Sequence, residues 1–197
     1  TLDQRIIQKD SIEKEISQAG KIAESAREAV VEFITQRELA ETVAGEEKAL
    51  RNIEELGELG VIPRVYGRLR NLIKIEGTYK EAIEATAAGW LNSIVVQDLE
   101  TAFTCAETLK RLKLGRVKII PLKELPVKPV NPSQISGVRG VASSFVKCEK
   151  RFEPAVVFVF GDTLIAGNNE AALTASRDGY RAVTVNGDLY EAGGGIE

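Results

Sequence analysis

Apolar residues in the first part of the chain recur at alternating steps of four and three positions. The series starts at Ile12 and ends at Ala40, and the positions between are mostly Glu, Lys, Gln and Ser. Its nine positions, all apolar except Arg37, are Ile12, Ile16, Ala19, Ala23, Ala26, Val30, Phe33, Arg37 and Ala40. A 3.5-residue repeat over about four heptads predicts a coiled-coil helix, and we call this face the heptad seam. A helix packed on its own domain is the alternative, although its apolar stripe would usually be wider, with a period of about 3.6 residues.

The heptad pattern loosens near Gly45, where a second helix is predicted to begin. Residues Glu46–Leu59 place Leu50, Ile53 and Leu56 on one face. An apolar face of this kind predicts that the second helix packs onto a globular part.

The rest of the chain repeats itself at an offset of about 73 residues. Five positions are identical in the two copies: Val65, Gly67, Lys74, Glu76 and Ala82 match Val138, Gly140, Lys147, Glu149 and Ala155. At an offset of 70, Asp98 meets Asn168, which favours a helix N-cap over a catalytic carboxylate at that position. The ordered agreement predicts two copies of one α/β unit, each roughly turn, helix, strand, helix, strand.

Local patterns assign elements to each copy. In the first copy, residues 94–96 and 116–120 are predicted strands and Leu99–Leu112 is a predicted helix. In the second copy, we predict strands at Ala155–Phe160, Thr163–Ala166 and Ala182–Val185 and a helix at Glu170–Ser176. Asn186-Gly187, between alternating apolar residues, predicts a type I′ hairpin.

Charge and proline content divide the chain at similar places. Residues 1–57 contain 8 Lys/Arg and 13 Asp/Glu, whereas residues 58–197 contain 18 and 16. Four of the six prolines lie between Pro121 and Pro132. We therefore predict an acidic coiled-coil arm at 1–57, a first subdomain at 58–125, a Pro-rich linker at 126–136 and a second subdomain at 137–197.

Composition excludes several classes of function. The chain has no His, and Cys105 and Cys148 do not form a CxxC pair, so His-based catalysis, a zinc site and a disulfide framework are not expected. The longest apolar run is six residues, against the ~20 that a membrane helix needs. The sequence has no GxxxxGK[ST] phosphate loop, so we expect no ATPase site, metal or cofactor within these residues. Since the chain begins with Thr and has no Met, we interpret it as an internal piece of a longer protein.

Basic residues form clusters that could contact DNA phosphates. Between residues 110 and 128 there are seven Lys/Arg and one acid, Glu124. The candidate DNA-binding residues are Lys110, Arg111, Lys113, Arg116, Lys118, Lys123, Lys147, Lys150 and Arg151, and a third cluster contains Arg64, Arg68, Arg70 and Lys74. Such clusters give sequence-independent, salt-dependent binding, whereas a solvated surface that keeps the protein soluble is the alternative explanation.

A series of motifs after the arm resembles a known family. It runs from Gly67-Arg68-Leu69, through Ile73–Ile83 and Val95-Val96-Gln97-Asp98, to Val183-Thr184-Val185-Asn186-Gly187-Asp188 and Gly193–Gly195. This order resembles the hinge domain of structural maintenance of chromosomes (SMC) proteins over roughly residues 60–195, with the incoming coiled coil at 1–57. Asn186 departs from the Asp that is usual before the hairpin glycine. The resemblance points to a prokaryotic SMC, or to an archaeal SMC-like protein of the coalescin type.

The resemblance implies association rather than catalysis. SMC hinges have an α/β (α+β) fold of two similar subdomains with small mixed sheets, and they dimerise head to tail. It further implies a homodimer that joins two coiled-coil arms, a weak DNA contact, and a cytoplasmic, nucleoid-associated protein in chromosome segregation. ATP and Mg would bind in head domains outside these residues, and a returning helix that pairs with the arm would also lie outside them.

Each repeat also has sheet edges that must be covered, which supports pairing between chains without reference to the family. Glycines allow backbones to approach closely, so the interface candidates are Gly187, Gly193, Gly194 and Gly195.

The lone Trp90 is predicted to pack between the subdomains. The alternative function is a stand-alone α/β ligand- or nucleotide-binding module with a helical oligomerisation arm.

Overall fold

The computed structural model describes residues 2–126 and 135–196, so most of the predicted Pro-rich linker lies outside the described residues. The chain forms two compact units, residues 1–45 and Glu46–Glu197. None of the helices in the described ranges is long and apolar enough to cross a membrane.

Helix α1 spans Leu2–Glu58. Its larger, N-terminal part forms the first unit, and its last residues belong to the second unit. Every described side chain from Ile12 to Ala44 is exposed, including the heptad seam, where Ile16 is 66% and Phe33 is 67% exposed. The predicted break near Gly45 is wrong, because the helix runs through this residue. A glycine inside a helix costs only about 1 kcal/mol, which a long helix tolerates.

The second unit contains two structural repeats with the same order of elements. The first comprises β1 (Val65–Arg68), α2 (Leu69–Leu72), β2 (Ile73–Ile75), α3 (Lys80–Ala87), β3 (Ile94–Val96), α4 (Leu99–Leu112) and β4 (Ile119–Pro121). The second comprises β5 (Val138–Val141), β6 (Val146–Cys148), α5 (Glu153–Phe160), β7 (Thr163–Ala166), α6 (Asn169–Arg177), β8 (Arg181–Thr184) and β9 (Leu189–Tyr190). From β1 to α3, every helix and strand boundary recurs 73 residues later, except that a 3₁₀ turn replaces α2. The structure therefore confirms the internal repeat.

The first three strands have the same topology in the two sheets, and the second sheet has an additional antiparallel strand, β9. The first sheet has strand order β1-β3-β4 and the second has β5-β7-β8-β9, with β3–β4 and β7–β8 parallel. A bulge interrupts the register at Val65/Gly67 and again at the matching Val138/Gly140. Asp98 caps α4 by accepting a hydrogen bond from the Thr101 backbone N–H at 3.1 Å, and Asn168 caps α6 in the same way. The predicted capping role of Asp98 is confirmed.

The base of α1 belongs to the first repeat. Ala49, Leu50 and Ile53 are buried with Ile94 and Val96 in one apolar cluster, which confirms the predicted apolar face. A larger cluster contains residues of both repeats, among them Ile83 of α3 and Phe160 of α5. The repeats are therefore joined by a shared apolar core.

The predicted strand at Ala155–Phe160 is wrong, since these residues lie in helix α5. A short, wholly apolar run cannot be assigned to a strand or a buried helix by periodicity alone. Pro154 occupies the first turn of α5, a position that proline favours. Four residues of α5 are buried: Ala155, Val156, Val159 and Phe160.

The hairpin at Asn186-Gly187 exists, but its predicted type is wrong. β8 and β9 pair antiparallel, and the Gly187 N–H donates to the Thr184 carbonyl at 3.0 Å. Gly187 has φ +94°, whereas Asn186 lacks the positive φ that the centre of a type I′ turn requires. Gly187, which has the left-handed conformation, therefore comes directly after the two central residues of the turn.

Ala88 provides a direct test of backbone strain at the end of α3. It adopts φ +44° as the exposed C-terminal cap, a conformation that favours glycine. We expect Ala88→Gly to raise the free energy of unfolding by about 0.5–1 kcal/mol, measured by urea denaturation. The control Glu84→Gly, exposed within the same helix, should lower it by about 1 kcal/mol. A loss of stability in Ala88→Gly would contradict this account.

Candidate association surfaces

A two-stranded ribbon joins the repeats within the chain. β2 and β6 pair antiparallel, with Lys74 directly opposite Lys147, its counterpart 73 residues later. A local pseudo-twofold axis therefore passes through this pair of lysines. Like charges directly opposite each other repel, and the 3.1 Å ion pair between Lys147 Nζ and Glu76 Oε1 offsets that repulsion.

Trp90 packs between the repeats, as predicted. Its ring lies edge-on to that of Phe158 in α5, with centroids 5.1 Å apart. The Lys118 Nζ lies 4.8 Å from the Trp90 ring centroid and donates a hydrogen bond to the Ala88 carbonyl at 3.0 Å. Lys118, predicted to contact DNA, therefore also stabilises the first repeat.

Gly187 lies against helix α3 of the same chain. A Cβ atom at Gly187 would lie 3.4 Å from the Glu81 carbonyl oxygen, so the absence of a side chain permits this approach. Arg181 reaches across the same boundary, where its Nη1 donates to the Thr86 carbonyl at 3.1 Å near the end of α3. Gly187 is thus a contact between repeats, and its role between chains stays a prediction.

The three glycines near the end of the chain form an ordered turn. The Gly193 N–H donates to the Ser176 carbonyl at 3.0 Å, and the Glu191 N–H donates to the Gly195 carbonyl at 2.7 Å. All three glycines are exposed, and Gly193 and Gly194 have positive φ. Their predicted role in a dimer interface stays a prediction that a single chain does not test.

Each large sheet has two outer strands, β1 and β4 in the first sheet and β5 and β9 in the second. β4 is the last strand of the first sheet and β9 is the last of the second, and within residues 2–126 and 135–196 no further strand pairs with either. A single bridge between Tyr190 and Ile196 extends β9. Such edges are the natural positions for pairing with another chain.

The nine candidate DNA-binding residues are all exposed, and they differ in their partners. Four have a partner within the chain: Lys118 with Trp90, Lys123 with Asp98, Lys147 with Glu76 and Arg151 with Glu149. In the described part of the chain, the other five make no ion pair: Lys110, Arg111, Lys113, Arg116 and Lys150. Four of these five lie at the end of α4 and in the loop that follows it.

Three of the candidates, Lys147, Lys150 and Arg151, lie around the β2–β6 ribbon. One open groove of about 460 Å³ is lined by Lys74, Lys147 and Arg151, and another of about 420 Å³ is lined by Lys147 and Lys150. Within the third basic cluster of the sequence, Arg68 is not available for DNA, because it is bound by Glu47 and Glu54. The charge clusters of the sequence did not anticipate these acidic partners.

Burial and hydrogen bonds shift the pKa values of both cysteines and of the Asp98 cap. Burial raises the pKa of the Cys105 thiol to about 11. The pKa of the Cys148 thiol is also raised, mainly by burial and to a lesser extent by the negative charges of Glu153 and Glu149. Both thiols are therefore protonated and unreactive at neutral pH. Hydrogen bonds from the Thr101 hydroxyl and backbone N–H lower the pKa of Asp98, which keeps this cap ionised. Among the described residues, no three His, Cys, Asp or Glu side chains are placed to hold a metal ion.

These features define a class of protein, a helical arm carrying a duplicated α/β association domain. The family model described as the SMC proteins' flexible hinge domain matches residues 62–176. The chain belongs to this family, which confirms the resemblance seen in the sequence.

Several known proteins are similar to this chain. The chromosome partition protein Smc of Aquifex aeolicus is 39% identical over 138 residues, which cover 68% of this chain and 12% of that protein. The Pyrococcus furiosus Smc hinge domain with an extended coiled coil is 30% identical with a TM-score of 0.68, covering 98% of this chain and 68% of that one. An asymmetric dimer of the Geobacillus stearothermophilus SMC hinge domain shares the fold, at 23% identity and a TM-score of 0.69 over 82% of this chain and 69% of that one. The chain spans 12–15% of the length of the curated relatives it matches.

The Trp90–Phe158 contact predicts a spectroscopic signal for the joined repeats. Trp90 is the only tryptophan, so its emission reports on this site alone. We expect Phe158→Ala to shift the emission to longer wavelength and to lower the free energy of unfolding by about 0.5–1.5 kcal/mol, because the aromatic pair is lost. Phe103→Ala, at a 60% exposed phenylalanine of α4, is the control and should leave the emission unchanged. Equal spectra for the two variants would contradict the contact.

Proposed function

We propose that this chain is the homodimerising hinge of an SMC chromosome-organising ATPase and that it joins two coiled-coil arms. The observation that supports the proposal is that each repeat has an outer strand at the end of its sheet, β4 in the first and β9 in the second, in sheets whose first three strands share one order. Pairing the first repeat of one chain with the second repeat of another covers an edge on each side and closes a twofold ring. The exposed turn Gly193–Gly195 allows close approach of a partner backbone.

The exposed arm supports the same proposal. The apolar seam positions Ile16, Val30 and Phe33 are more than half exposed, so α1 presents a face that suits a partner helix. The curated relatives are several-fold longer than this chain, and in a protein of that length this partner would be a returning helix. The ATPase heads would lie elsewhere, and the protein would act in chromosome segregation as a cytoplasmic, nucleoid-associated factor.

Light scattering after size exclusion tests dimerisation. We expect a mass of twice 21.4 kDa across a wide range of concentration. Gly195→Val should yield the monomer, because Gly195 lacks a positive φ and a Cβ there meets only Glu191 at 3.5 Å, so the chain itself tolerates the change. The control Gly77→Val, at another exposed glycine without positive φ, should leave the dimer intact.

A second pair of substitutions separates the hinge from the arm as the site of dimerisation. Val30→Lys with Phe33→Lys charges the heptad seam and should leave the mass unchanged. A monomeric wild-type chain would refute the proposal, and so would a dimer that only the arm substitutions dissociate.

We further infer that the hinge contributes a weak, sequence-independent DNA contact. Lys110, Arg111, Lys113 and Arg116 are exposed around the end of α4 without a carboxylate partner in the described ranges. Unpaired cations of this kind can exchange their counterions for phosphates. The overall net charge of −3 requires such binding to be confined to a patch.

Titration of duplex DNA by fluorescence anisotropy at several salt concentrations tests this contact. We expect Lys110→Glu with Lys113→Glu to weaken binding about tenfold and to reduce the slope of log K against log[salt] by about 2. The matched control is Lys14→Glu with Lys21→Glu, which makes the same charge change on the arm and should have a smaller effect. Equal losses in both variants would indicate general electrostatics instead of a site.

A further inference from the structure

Arg68 forms the densest ionic contact in the described chain. It lies in β1 with a side chain only 12% exposed, and its Nη1 and Nη2 donate to the two Glu47 carboxylate oxygens at 2.8 and 3.0 Å. Its Nε donates to Glu54 at 3.0 Å. Hydrogen bonds from Arg68, and then from Arg51, lower the pKa of Glu47 to about 2, so this carboxylate is ionised throughout the physiological range.

The spacing of the two acids makes this contact specific for one position of the helix. Glu47 and Glu54 are one heptad apart on α1, and Arg68 bridges both. A slide of one residue moves each carboxylate by about 1.5 Å along the axis and rotates it by about 100°, which would break all three bonds. The neighbouring apolar contacts of Leu50 and Ile53 are not directional and tolerate such a change better.

A second close contact accompanies the arginine. A Cβ atom at Gly57 would lie 2.9 Å from Val65 Cβ, so α1 approaches β1 more closely than a side chain would permit. The second repeat has Val141 at the position of Arg68, and the arginine contact is therefore restricted to the repeat that carries α1.

We propose that Arg68 is a positioning residue that locks the axial and rotational register of the base of α1, residues 46–58, on the first sheet, so that a rotation of this base moves β1 with it. The lock lies within one chain and does not depend on dimerisation or DNA binding. It makes the base of α1 and strand β1 move as one body, where an apolar contact alone would allow slippage.

Hydrogen exchange of the full chain under native conditions tests the lock. In Arg68→Gln and Arg68→Met we expect exchange in residues 46–58 to rise at least fivefold, with residues 163–177 in the other repeat unchanged. Arg68→Met retains an apolar stem of similar length and adds no polar group, so it should fold even if Arg68→Gln does not. Arg68→Lys should show an intermediate rise, because an ammonium group lacks the planar fork.

Two controls separate register from overall stability. Asn168→Ala removes the cap of α6 and lowers global stability without touching α1, so exchange in residues 46–58 should not rise selectively. Arg51→Gln removes the exposed partner of Glu47 and should leave residues 46–58 protected. Unchanged exchange of residues 46–58 in Arg68→Met, or the same pattern in Asn168→Ala, would overturn the proposal.

Discussion

The shared apolar core is the constraint on which the arrangement of this chain depends. Each repeat has about 60 residues and a sheet of three or four short strands, and a chain of that size buries only about 60% of its surface. Neither repeat therefore supplies a full core by itself. Ile83 of α3 and Phe160 of α5 are both fully buried in one cluster that spans the two repeats, and the β2–β6 ribbon closes over it. The fusion of the repeats follows from this need for burial.

The same core determines which surfaces remain free. The repeats face each other through α3 and α5, and the strands β4 and β9 each lie at one end of their sheet. Helix α1 breaks the symmetry, since Leu50 and Ile53 add to the core of the first repeat only. The two ends also differ in backbone, since β4 is parallel to its neighbour and β9 is antiparallel, and this difference suits pairing of unlike ends.

Much of the fold could be predicted from the sequence because the repeat and the helix periodicity are local signals. The bounds predicted for α4, β3 and β7 agree with the structure. The apolar run of α5 carries no periodic signal of its own, but the repeat aligns Ala155 with Ala82 of α3 and so points to a helix. The type of the hairpin depends on the φ angle of Asn186. The neighbouring strands determine this angle, so the Asn-Gly dipeptide alone does not predict it.

The site residues were harder to predict, because charge counted along a chain does not show which charges are paired. Arg68 was grouped with exposed basic residues, yet Glu47 and Glu54 lie on the same stretch of helix as buried Leu50. Acids beside an apolar helix face require a cation, and that pattern could have indicated the partner. The cations that stay unpaired, Lys110 and Arg111, occupy the last turn of α4, where the helix dipole favours positive charge. The dipole therefore compensates for the missing carboxylates, and these residues stabilise the helix whether or not they also contact DNA.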